Sequence, residues 1–101
     1  MKKAIGLIEV YGMATAYFAA DAACKAGDVV IEAFDRNKPP NADELEVPLL
    51  IMIKVRGAVA DVEMAIEAAT IAADQIAGYH IKHVIANPTE GIEKFLELSC
   101  L

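Results

Sequence analysis

The sequence predicts an α/β (α+β) sandwich of two layers, with helices on one side of a small sheet. Three observations carry that expectation. Four short apolar runs rich in β-branched residues are spread along the chain. Two longer stretches with no internal Gly or Pro separate the first run from the second and the third from the fourth. Gly, Pro, Asp and Asn punctuate the junctions.

Taken in order, Lys3 to Val10 is short, apolar and partly β-branched, and reads as a buried strand ended by Gly12. Met13 to Ala26 is rich in Ala, Met and Phe and reads as a helix, stopped by Gly27 as a C′ residue. Asp21 and Lys25 form an i,i+4 pair on it. The rest of this helix is apolar nearly all round, as expected of a helix buried on more than one side. Val29 to Phe34 is the second strand. Residues 35–48 hold Pro39, Pro40 and Pro48 among several charges, and read as a long loop. Leu49 to Val55 is the third strand, closed by Arg56-Gly57. From Ala58 to Ala77 a helix is expected, with Val59, Val62, Ile66, Ala69, Ala73 and Ile76 on one face and Glu63, Glu67, Thr70 and Asp74 on another. Gly78 ends it, and His80 to Ile85 is the fourth strand. Asn87-Pro88-Thr89-Glu90 has the pattern of a capping box with Asn87 as N-cap, leading into a short helix from Ile92 to Leu98. The order β-α-β-β-α-β plus a short C-terminal helix is the ferredoxin-like, split βαβ plan, laid out as one domain over residues 1–101.

Composition narrows the function classes. Nine Lys and Arg against fifteen Asp and Glu give a net charge of −6, which disfavours generic binding to nucleic-acid phosphates. With 56% hydrophobic residues the chain is too apolar for disorder. The longest uncharged stretch, Val10 to Ala20, is about half of the ~20 residues that a helix needs to cross a bilayer. The N-terminal stretch Met1-Lys2-Lys3 runs into Glu9 without a signal-peptide core, so a soluble, cytosolic protein is expected. A mean hydropathy of +0.40 is high for so short a chain, because a small domain leaves about 30–40% of its surface exposed. Subunits are therefore expected to bury apolar surface against one another.

Catalytic patterns are sparse. The glycines are too scattered for a phosphate-binding loop, and the lone serine, Ser99, lies at the very C-terminus. Cys24, inside the apolar helix, reads as a small core thiol and Cys100 as an exposed one, with no disulfide between them. His80 and His83 point to opposite faces of a strand, unsuited to one metal ion. Glu63, Glu67 and Asp74 read as a solvated helix face. No catalytic, cofactor or metal site is expected.

The motifs do resemble one family. Lys3-Ala4-Ile5-Gly6-Leu7-Ile8-Glu9, then Gly12, then Ala19-Ala20-Asp21-Ala22-Ala23-Cys24-Lys25-Ala26 is similar to the opening of bacterial microcompartment (BMC-domain) shell proteins. Val55-Arg56-Gly57 matches the family's Val-Arg-Gly, although Ala58 stands where the family has Asp. His83-Val84-Ile85-Ala86-Asn87-Pro88 is similar to its His-Val-Ile-Pro-Arg-Pro. The likeness covers nearly the whole chain except residues 36–48.

The resemblance implies a cyclic homohexamer, a flat tile with a pore on its axis, packed edge to edge with other shell proteins around encapsulated enzymes in the bacterial cytoplasm. Lys25 falls on the family's edge lysine, and Asn87 replaces its edge arginine. The loop between the second and third strands falls where the family places its pore. Here it is longer and carries Arg36, Asn37, Lys38, Pro39, Pro40, Asn41, Asp43, Glu44 and Glu46. Repeated around an axis, these charges would form rings that select small polar metabolites. The loop has no Cys, so the iron–sulfur cluster of some divergent family members is not expected, nor any other cofactor. A trimeric PII-like regulatory protein that binds a nucleotide or small effector is the alternative, on the strength of the long loop between the second and third strands.

Overall fold

The computed structural model describes residues 3–101, and the N-terminal expectations for Met1 and Lys2 lie outside the described residues. In chain order the elements are β1 (Ala4–Tyr11), α1 (Met13–Ala26), β2 (Val29–Asn37), β3 (Leu50–Gly57), α2 (Val59–Asp74), β4 (Tyr79–Ile85) and α3 (Glu90–Leu96). The strands pair antiparallel in the order β2-β3-β1-β4. Each of α1 and α2 thus joins two strands that flank a third, which is the expected ferredoxin-like plan.

Alternation along the two central strands sorts their side chains onto two faces. Ala4, Ile8 and Val10 of β1 and Ile51, Ile53 and Val55 of β3 face the helices. Against them α1 sets Ala16, Ala19, Ala20 and Ala23, and α2 sets Val62, Ala65, Ile66, Ala69 and Ala73. These small side chains let the two helices lie close to each other and to the sheet. Closeness also explains Gly27. Its backbone is extended (φ −139°) rather than left-handed, so it is not the C′ glycine that the sequence suggests. A Cβ there would sit 2.4 Å from the Asp61 carbonyl oxygen of α2, and that approach requires glycine. At Gly78 the conformation itself requires it. With φ +91°, this residue turns the chain beyond α2 and donates its N–H to the Ala73 carbonyl at 2.8 Å.

Several side chains lie elsewhere than the sequence suggests. Cys24 is exposed, because the buried face of α1 runs through Ala16, Ala19, Ala20 and Ala23 and leaves Tyr17, Phe18 and Cys24 outside. On α2, Val59 and Ile76 are exposed, since the helix closes at Asp74 and Val59 lies in its first turn. Thr70 is buried rather than on the acidic face, and its hydroxyl is satisfied by donating to the Ile66 carbonyl at 2.8 Å. β2 runs on to Asn37, past the expected end at Phe34, because Asp35, Arg36 and Asn37 continue the ladder opposite Met52, Ile51 and Leu50. Asn87 is not the cap of α3. Pro88 is fully buried and anchors the chain before the helix, and the N-cap is Thr89, with no side-chain capping bond.

The other face of the sheet is held differently. There Lys54 and Arg56 of β3 emerge between apolar neighbours and meet α3 and the residues after it. Arg56 Nη2 lies 2.8 Å from Glu93 Oε1, and Nη1 donates to the Lys3 carbonyl. Lys54, only 5% exposed, donates to the carbonyls of Phe95 and Leu98 at 3.1 and 2.9 Å and pairs with Asp35 at 2.6 Å.

Candidate functional site

The longest connection in the fold, between β2 and β3, holds the residues singled out from sequence. Arg36 and Asn37 belong to the end of β2 itself, a correction to their expected place in the loop. The Asn37 side-chain oxygen accepts the Lys38 N–H at 2.9 Å. Pro39 is buried, and its carbonyl accepts the Ala42 N–H. A turn of 3-10 helix, Ala42–Glu44, follows, closed by Glu44 N–H to the Asn41 carbonyl and Leu45 N–H to the Ala42 carbonyl. Ala42 is buried beneath the turn. The Leu49 carbonyl accepts the Gly12 N–H at 2.9 Å, which ties the loop's return to the start of α1. The segment is thus pinned at both ends and in the middle, with Pro40, Asn41, Asp43, Glu44 and Glu46 left exposed.

Its charges are segregated. Arg36, Asn37 and Lys38 line one shallow hollow with Pro48 and Leu49. Glu44 and Glu46 line a separate open groove of about 720 Å³, floored by Tyr11, Leu45, Val47, Ile76 and Ala77. The cationic and anionic parts of the connection therefore face different surroundings instead of cancelling in local ion pairs.

The two expected edge residues are both exposed. Lys25, in the last turn of α1, pairs with Asp21 at 2.7 Å. The hydrogen bond that Lys25 donates to the Asp21 carboxylate, reinforced by that carboxylate's charge, raises the Lys25 ammonium above the ordinary lysine value. Asn87 lies between β4 and α3.

Among the described residues, no three His, Cys, Asp or Glu side chains are grouped so as to hold a metal ion. His80 Nδ1 lies 3.3 Å from the Tyr11 hydroxyl. Glu67 reaches Lys82 at 3.6 Å, while Glu63 and Asp74 are exposed. No helix among the described residues is long and apolar enough to cross a membrane. Among the described residues, the polar constellation that sequence reasoning missed is buried Lys54 with half-buried Asp35, beside the half-buried pair Arg56 and Glu93. Its visible signal was a lone lysine inside the apolar run Leu49 to Val55.

Known proteins match this chain along most of its length. The family model described as the BMC domain matches residues 4–88. The bacterial microcompartment shell protein PduA of Citrobacter freundii is 30% identical over 95 residues, which cover 94% of this chain and 92% of that protein. A carboxysome shell protein of Halothece sp. is 32% identical over 101 residues, covering 98% and 90% respectively. The shell protein PduK of Citrobacter freundii is 33% identical over 92 residues, 91% of this chain but 54% of that protein. The chain therefore spans about half the length of its PduK relatives. Among solved structures, a microcompartment protein from Desulfitobacterium hafniense superposes with a TM-score of 0.72 at 24% identity, over 96% of this chain and 48% of that one. That likeness is one of fold.

Proposed function

The chain belongs to the BMC-domain family; on that premise we propose that it is a structural protein of a bacterial microcompartment shell and that residues 1–101 act as one domain of a cyclic homohexameric tile. In this reading the β2–β3 connection lines a central pore, and Lys25 and Asn87 lie along edges shared with other shell proteins. The tile passes small polar metabolites and contacts encapsulated enzymes in the bacterial cytoplasm. Family membership favours this over the PII-like alternative.

One observation supports assembly above the others. The outer faces of α1 and α2 should be polar in a two-layer sandwich that stays single. Instead Tyr17 is 59% exposed and Ile71 56%, with Phe18 and Met64 also outside. Exposed apolar side chains on adjacent elements mark surfaces that bind protein, and a head-to-tail contact that closes into a ring buries them on every subunit. Of the loop charges, Asp43, Glu44 and Glu46 lie on the exposed turn and its return. Repeated around an axis, they favour neutral and cationic permeants over anions.

Light scattering on the purified chain tests the reading. The expected particle has six times the 10.8 kDa chain mass. A monomer or a trimer at working concentration would rule the hexamer out.

A further inference from the structure

We propose that α3 and the residues after it form a releasable strap, latched by the buried ammonium of Lys54, and that releasing it uncovers the edge of β2. A lysine ammonium has three N–H donors, and here each has an acceptor from a different place. The Phe95 carbonyl is in the last turn of α3, the Leu98 carbonyl is beyond it, and the Asp35 carboxylate is on β2. Lys54 thereby caps the C-terminal end of α3 from an adjoining strand. Asp35 extends the latch, because its other oxygen accepts the Cys100 N–H at 2.9 Å.

Apolar burial adds little to this attachment. Leu96 is buried, but Ile92, Phe95, Leu98 and Leu101 are exposed. The strap is therefore held mainly by polar contacts, those of Lys54 and the Arg56–Glu93 pair, while the α1–α2 face is held by a continuous apolar cluster. Segments with few buried apolar contacts open below the global unfolding free energy. The contacts that open also define what is uncovered. Arg36 N–H donates to the Cys100 carbonyl at 2.9 Å, Ser99 Oγ donates to the Phe34 carbonyl at 3.1 Å, and Cys100 bridges Asp35 as a parallel neighbour. β2 is an outer strand of the sheet, so the last residues of the strap serve as a short extra strand on its edge. With the strap released, the Arg36 N–H and the Phe34 carbonyl lose their partners and face outward. That edge leads directly into the β2–β3 connection.

Amide hydrogen exchange on the full chain at neutral pH, read residue by residue, tests the proposal. The amides of Arg36, Glu97 and Cys100 should exchange at least about tenfold faster than those of Ile8 and Ile53, because they open locally. Lys54→Met should accelerate those three amides further and leave α1, α2, β1 and β3 unchanged. Uniform rates across the wild-type chain, or equal acceleration of every element in the variant, would overturn the strap. No acceleration at all in the variant would overturn the latch. If Lys54→Met does not fold, Asp35→Asn breaks the same hub from the other side, and the wild-type rates still decide.

Discussion

On one face of the sheet, α1 and α2 meet β1 and β3 through side chains that are almost all aliphatic and almost all without exposed surface. On the other, α3 meets β3 through Lys54 and Arg56, with carboxylates on β2 and α3 as partners. The first contact is non-directional and spread over many residues, so no single hydrogen bond decides whether it persists. The second is directional and concentrated, and it leans on groups whose burial is tolerable only while they are paired. One sheet therefore has a permanent side and a conditional side, and its strand order makes the conditional side border the β2–β3 connection.

Cutting into the permanent side should have the largest effect. Ile53 is fully buried between the helices and the sheet. Ile53→Ala removes aliphatic volume and leaves a cavity, for an expected loss of about 2–5 kcal/mol. Urea denaturation should show the midpoint falling with all elements unfolding together. A loss under about 1 kcal/mol would mean that the cluster collapses easily around the gap, and the contrast between the faces would fail. On the conditional side, Arg56→Met keeps the apolar stem and removes the guanidinium, whose two nitrogens contact Glu93 and the Lys3 carbonyl. The expected loss is about 1.5–3 kcal/mol, the range for hydrogen bonds to charged groups. It should appear as lost protection of α3 before any loss from α1 or α2. If thermal unfolding instead shifts as far as it does for Ile53→Ala, the two faces are one cooperative unit.

The same contrast decides what was legible in the sequence. The permanent side announces itself. Its β-branched runs and glycine punctuation predict the strand and helix order, and the bounds of α1 agree with the sequence reading residue for residue. What periodicity does not supply is the phase of a helix that is apolar all round, which is why Cys24 reads as core and lies outside. The conditional side was hidden by its own chemistry. A strand end whose residues are committed to an ion pair loses apolar alternation, so Asp35, Arg36 and Asn37 look like loop while they continue the ladder. The charge on Lys54 was plain, but its partners lie far along the chain, and only the fold brings them together. The proposed pore and edge residues were legible as types and, apart from the buried Pro39, as exposed positions. Their shared surroundings were not, since the separation of Arg36 and Lys38 from Glu44 and Glu46 follows from where the 3-10 turn packs.

Lys25 belongs to neither face, and it is expected to show the smallest effect on the fold. Its ammonium pairs with Asp21 within one exposed turn of helix. Because Asp21 raises the Lys25 pKa in the folded state, whatever stability the pair supplies is fully present below the ordinary lysine value. It is lost only as pH climbs through the raised one, well above neutrality. At neutral pH the pair is intact, yet solvent and salt screen an ion pair this exposed almost completely. Lys25→Ala should therefore leave the thermal midpoint and the particle mass unchanged. Under the proposed edge role it should still weaken the packing of tiles into sheets seen by electron microscopy, because a side chain that contributes nothing to its own fold is free to reach a neighbour. Sheets as extensive as those of the wild type would return Lys25 to a purely local part as the partner of Asp21.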